Sequence, residues 1–141
     1  MQAVAKLAAA HIMEAIAMAS GKILVADDSA LMHKLVGALL PETALVHALD
    51  GVEALSRLEE HPDVSLVLVD LDMPRMNGVE LIHRLEADGV LAKVPVVVMT
   101  TAGKEQDAIA CLRAGAAAYL RKPFQHHELV DLVAQLQAPG R

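Results

Sequence analysis

The sequence predicts an α/β fold, a doubly wound sheet of five parallel strands with helices on both faces. Three observations predict it. From Lys22 onward, short apolar runs alternate with amphipathic helical stretches. The runs carry no polar alternation, as expected of strands buried on both faces. Hydrophobic residues make up 55% of the 141-residue chain and aromatics only 1%, so the core is built from Val, Leu, Ile, Ala and Met, which suits a parallel sheet under Ala- and Leu-rich helices. Right-handed crossovers then restrict the topology to a doubly wound sheet.

Taken in order, the first segment is helical. Leu7, Ala8, Ile12, Ala15 and Ile16 recur at helical spacing, and neither Gly nor Pro interrupts before Gly21, which predicts a helix over residues 3–18. It is apolar on nearly every side, so it needs a partner. Met13 and Met18 would serve equally well as starts, and a leader added for expression would look the same. Ala17 and Ala19 form an Ala-x-Ala pattern, yet His11 and Glu14 break what would be the apolar stretch of a cleaved signal. The division expected is a helical extension at 1–20, one domain at 21–138 and a tail at 139–141.

Strands are expected at 23–26, 43–47, 66–69, 94–99 and 117–120, and helices at about 29–40, 52–60, 79–87, 104–113 and 126–137. Ser29 can cap the helix that starts near Ala30, Pro41 follows its end, and Gly78 and Gly115 read as turns. After Phe124 there is room for one helix and a tail, so no output domain is expected within these residues.

Composition narrows the function. The formal net charge is −6, and no Lys/Arg stripe is present that could neutralise a phosphate backbone, so direct nucleic-acid binding is not expected. No uncharged apolar run reaches the ~18 residues a membrane span needs. The lone Cys111 excludes an internal disulfide and a thiolate metal cage, fits a reducing cytoplasm, and reads as a small buried hydrophobe. Of the seven His residues, His126 and His127 read as surface residues at a helix start. His33, His47, His61 and His83 fall on separate elements and are assigned no chemistry.

In an open parallel sheet, ligands bind beyond the carboxyl ends of the strands, near the point where strand order reverses. The first run ends in Asp27 and Asp28, the third in Asp70 and the fourth in Thr100; Lys122 follows the fifth. Three carboxylates converging on one crevice repel one another unless a cation neutralises them, and all-oxygen ligation suits Mg²⁺. A hydroxyl and an ammonium beside them match the needs of a transferring phosphoryl group. Each piece alone is commonplace, since an Asp pair at a strand end is usually a cap or a solvated turn. Five positions at four strand ends, all on one side, point to aspartyl-phosphate chemistry.

The motifs themselves resemble a known family. LVLVDLDMPRMNG (66–78) is similar to the phosphoacceptor segment of bacterial two-component response-regulator receivers, which are CheY-like domains. ILVADDS (23–29) resembles their first strand with its acidic pair, PVVVMTTA (95–102) the strand with their switch Thr, and AGAAAYLRKPF (114–124) the fifth strand with its aromatic and Lys-Pro-Phe. The resemblance covers residue 22 to about residue 137. It implies a flavodoxin-like sheet in the order 2-1-3-4-5, phosphorylation of Asp70, and Mg²⁺ held by Asp27, Asp28, Asp70 and the main-chain carbonyl of Asp72. It also implies that Thr100 and Lys122 contact the phosphoryl group, that the rotamer of Tyr119 follows Thr100, and that Asp72 and Ala102 tune hydrolysis. The partners implied are a sensor histidine kinase or phosphotransfer protein, or a small phosphodonor, and a downstream protein. They meet a face formed by the fourth helix, fifth strand and fifth helix. A homodimer through that face or through the N-terminal helix is left open.

Two rival classes share some of these features. DLDMP (70–74) also resembles the nucleophile motif of haloacid-dehalogenase-type phosphatases, but that motif sits near the chain start and has Thr or Val where this chain has Pro74. A receiver-shaped interaction module that is never phosphorylated would not need the full set of Asp27, Asp28, Asp70, Thr100 and Lys122.

Overall fold

Alternation along the strands sets the layers. Successive strand side chains point to opposite faces, so in β1 (Lys22–Ala26) Leu24 and Ala26 face one way and Ile23 and Val25 the other. The computed structural model describes residues 21–137. After β1 come α1 (Ala30–Leu39), β2 (Leu45–Ala48), α2 (Gly51–Glu60), β3 (Val64–Asp70), α3 (Gly78–Ala87), β4 (Val96–Thr100), α4 (Glu105–Ala114), β5 (Ala118–Arg121) and α5 (His126–Leu136). The five strands are all parallel, in the order β2-β1-β3-β4-β5.

Two aliphatic core layers follow, one on each face. Leu24, Val67, Val69, Val96 and Val98 pack with Leu81, Ile82 and Leu85 of α3 and Ala108 and Cys111 of α4. Ile23, Val25, Leu66, Leu68, Val97 and Met99 pack with Val36 of α1 and Leu129 and Val133 of α5. Burial pushes the Cys111 thiol up to about 11, which keeps it a neutral core group, as expected. Chain order runs from β1 outward to β2 and then crosses back to β3, so the β1–β3 seam is where the direction of winding reverses.

Local chemistry agrees with the caps. Ser29 Oγ accepts from Met32 N at 3.3 Å, as expected of the α1 N-cap. Asn77 and Glu80 form a reciprocal capping box at the start of α3. Element boundaries differ from the expected ones by at most two residues. Thr43, expected in a strand, belongs to the turn after Pro41, where its N–H donates to Leu40 O. Residue 94 is likewise outside β4, its N–H donating to Val90 O just before Pro95. Gly78 is not a turn but the first residue of α3, and Gly115 closes α4 at φ 126°. The expected helix at 3–18, the extension 1–20 and the tail 139–141 lie outside the described residues. Among the described residues, no helix is long and apolar enough to cross a membrane.

Candidate functional site

The carboxyl end of β1 meets that of β3 at the seam. Asp27, Asp28 and Asp70 each offer a carboxylate oxygen, and these atoms lie within 4.8 Å of one another. Asp27 is fully buried and Asp70 nearly so, while Asp28 is exposed. Asp27 is fixed from two sides: its Oδ1 accepts from Ser29 N at 2.9 Å and its Oδ2 from Lys122 Nζ at 2.7 Å.

Lys122 spans the pocket. Its ammonium also lies 3.5 Å from Asp70 Oδ1. Lys122 N donates to Thr100 O at 2.6 Å, which ties the loop after β5 to the end of β4. Burial raises the Asp70 carboxyl above the usual carboxylate range, and the charge of Asp27 adds to this, against the pull of Lys122 and of the Asp72 N–H. Such a carboxylate is electrostatically primed for a cation.

β3 places Asp70 by a close backbone approach. Gly78 N donates to Leu71 O at 3.0 Å, and a Cβ on Gly78 would collide with Asp70 O and Leu71 Cα. The loop between β3 and α3 is then latched to α2. Asp50 caps α2 through Glu53 N at 2.8 Å and accepts from Arg75 Nε and Nη2 at 2.9 and 2.7 Å. Arg75 makes that reach with φ 63°, in the left-handed region.

Thr100 is buried, and its hydroxyl lies 3.3 Å from the carbonyls of both Thr101 and Lys104. Tyr119, 44% exposed, stands outward on β5. Ala102 and Asp72 are exposed on the loops flanking the pocket, and the Asp72 carboxylate pairs with Lys104 Nζ at 3.1 Å. The structure therefore brings Lys122 against Asp27 and Asp70 with Asp28 close beside them, sets Thr100 and the side chain of Asp72 at the rim, and leaves Tyr119 on the surface. Sequence reasoning missed Lys104, Asp50 and Arg75, all of which act through loops of no fixed pattern. It also missed that His33 and His47 touch.

A family model for the response regulator receiver domain matches residues 23–134, which takes in every residue of the pocket. The chain belongs to the response-regulator receiver family. Receivers of this family are two-component signalling switches whose general role is to accept a phosphoryl group.

Among relatives, the chemotaxis protein CheY1 of Helicobacter pylori is 34% identical over 106 residues, covering 73% of this chain and 86% of that protein. A solved response-regulator receiver domain protein from Clostridium thermocellum superposes with a TM-score of 0.76 at 25% identity, covering 84% of this chain and 94% of that one. NtrX of Brucella abortus, a longer chain, shares the fold at a TM-score of 0.75 and 24% identity, with 84% of this chain matching 27% of that one.

Proposed function

We propose that Asp70 is the phosphoacceptor of this receiver and that Lys122, Thr100, Asp27 and Asp28 serve the transfer. The observation that carries the reading is the ammonium of Lys122 held 2.7 Å from Asp27 and 3.5 Å from Asp70 at the seam of the sheet. A cation wedged between two carboxylates marks a pocket whose charges are set for an incoming anion.

The donor set fits Mg²⁺, being three carboxylates with ligand atoms within 4.8 Å and no nitrogen or sulfur. Asp27, Asp28, Asp70 and the main-chain carbonyl of Asp72 would hold it. When bound, Mg²⁺ supplies the charge that screens Asp70 from phosphate oxygens.

In the transfer, an Asp70 carboxylate oxygen attacks phosphorus. The donor is a phosphohistidine of a sensor kinase or phosphotransfer protein, or a small phosphodonor. The bond from phosphorus to the leaving atom breaks, and its electron pair departs with the donor. Lys122 pairs with the phosphoryl oxygens. Thr100, whose bonds to two carbonyls at 3.3 Å are long, turns its hydroxyl to the phosphoryl group.

That new bond favours one arrangement of the loop after β4 over the other and shifts their populations. Tyr119 follows Thr100, and the face of α4, β5 and α5 changes its protein partner. The receiver also hydrolyses its own acyl phosphate, with Asp72 and Ala102 setting access for water. A cytoplasmic setting follows from a kinase donor. Asp70→Asn should abolish Mg²⁺-dependent labelling by acetyl phosphate and binding of beryllofluoride; undiminished labelling of the variant would sink the assignment.

A further inference from the structure

His33 and His47 come from different elements, α1 and β2, and bring their Nδ1 atoms to 2.7 Å. Their rings meet edge to face, with planes at 66° and centroids 4.8 Å apart. On its other side, His33 Nε2 lies 2.7 Å from the main-chain oxygen of Asp27. A carbonyl can only accept, so Nε2 carries the proton and donates. The Nδ1 of a neutral His33 is then a lone pair aimed at His47. Only a proton on His47 Nδ1 makes the contact between the two nitrogens favourable. Burial, and then the neighbouring His33, hold His47 below the usual imidazole range.

We propose that His33 and His47 form a binding site for a divalent late-transition-metal ion, Cu²⁺ or Ni²⁺, which takes the place of the proton shared by their Nδ1 atoms. On binding, His47 moves its proton to Nε2 through solvent. Both Nδ1 lone pairs then face the ion, and no net proton is released.

Three features of the pair support this. A ligating His almost always donates its other N–H to a carbonyl or carboxylate, which fixes its tautomer, and His33 already makes that bond to Asp27 O. Metal–nitrogen bonds of ~2.0 Å put two cis nitrogens ~2.8 Å apart at a right angle and ~3.3 Å apart at the tetrahedral angle. The observed 2.7 Å is nearer the first, the square-planar or tetragonal geometry of Cu²⁺ and Ni²⁺. Imidazole nitrogen also suits these ions and not Mg²⁺, so the pair is chemically separate from the oxygen-only pocket.

Among the described residues no carboxylate, thiol or third His completes a three-residue group here. The remaining positions fall to water. A cavity of about 460 Å³ lined by Ala30, His33, Lys34, His47 and Leu49 opens beside the rings and gives that water room. Lys34 is exposed, so its ammonium is free to turn to solvent.

The test is a titration of the full chain with Cu²⁺ and with Ni²⁺ in saturating Mg²⁺, which keeps the carboxylate pocket filled. Electron paramagnetic resonance of the Cu²⁺ form reads the ligand atoms. One ion per chain with two coordinated imidazole nitrogens is expected. His33→Gln and His47→Gln should each lose that pattern, and His126→Gln with His127→Gln should keep it. A spectrum with oxygen ligands alone, or a two-nitrogen pattern that survives both His33→Gln and His47→Gln, overturns the proposal. Because Mg²⁺ labelling of Asp70 is read separately, failure here is distinguishable from failure of the phosphoacceptor reading.

Discussion

The ammonium of Lys104 meets the Asp72 carboxylate at 3.1 Å across the rim of the acidic pocket, while the main-chain oxygen of the same lysine lies 3.3 Å from the Thr100 hydroxyl. One residue thus touches both loops that border Asp70. On the proposed phosphoacceptor reading, the pair draws the Asp72 carboxylate partly away from a water that would attack a phosphoryl group on Asp70. Asp72→Ala should lengthen the phosphoryl lifetime, because it removes an acceptor able to orient that water. Lys104→Ala should shorten it, because Asp72 is then free to turn inward. The double variant should decay like Asp72→Ala. An exposed pair of this kind contributes little to stability, so melting temperatures should barely move. Phosphate release from the labelled domain measures the lifetimes, and equal decay in all four proteins would refute the idea.

Asp70 should cost the fold stability at neutral pH. Its carboxyl is raised by burial and by Asp27, so the native state holds its proton to higher pH than the unfolded chain does. The native state is then penalised progressively as pH rises from the unfolded value of ~3.9 through the raised folded value. Asp70→Asn removes that penalty. The variant should melt higher than wild type at pH 7.5, the gap should close as the pH is lowered, and saturating Mg²⁺ should raise wild type toward the variant. Thermal melts at several pH values check this, and a variant less stable than wild type at pH 7.5 would contradict it.

The pocket was legible in the sequence because each of its members lies at or just past the end of a strand, and buried parallel strands read as unbroken apolar runs. LVLVD at 66–70 could be placed with its terminal Asp at the edge of the sheet from that pattern alone. The His33–His47 contact could not. The two residues are 14 apart, and they meet only because β2 pairs with β1 in the register that sets His47 against Val25 while α1 packs over that edge. Arg75 was equally opaque, since its reach to Asp50 depends on a left-handed φ that no residue in MPRMN announces. Thr43 was misplaced because a β-branched residue beside apolar ones resembles a strand start, whereas Pro41 had already committed the chain to a turn.

The latch between Asp50 and Arg75 should matter more to the cap than to the charge pair. Asp50 is buried, yet the Glu53 N–H and the Arg75 guanidinium outweigh burial and hold its carboxyl below the usual range. Losing the α2 cap costs ~1 kcal/mol, and a pair to an Arg 62% exposed adds at most about as much again. Asp50→Ala should therefore destabilise by about 1–2 kcal/mol, and Asp50→Asn by less, since its amide oxygen still caps. The stabilisation is present above the unfolded value and is lost as pH falls through the lower folded value. Arg75→Ala should leave stability nearly intact but weaken Mg²⁺ binding, because the freed loop carries the Asp72 carbonyl. Denaturant unfolding and calorimetric Mg²⁺ titration separate the two effects.

Gly78 poses a test in which helix propensity and packing oppose each other. It opens α3, where Ala is favoured over Gly by about 1 kcal/mol in a helix interior and by less at a terminus. Against that, the added Cβ would lie on Asp70 O and Leu71 Cα, backbone atoms that cannot rotate away. Relief requires the end of β3 to shift, and overpacking of this kind costs about 1–3 kcal/mol. Packing should win. Gly78→Ala should lower the melting temperature and, because Asp70 moves with the strand end, weaken Mg²⁺ binding in the same variant. A Gly78→Ala protein that melts higher than wild type with unaltered Mg²⁺ affinity would mean that the strand end has slack, and that Asp70 is positioned by the Lys122 bridge alone.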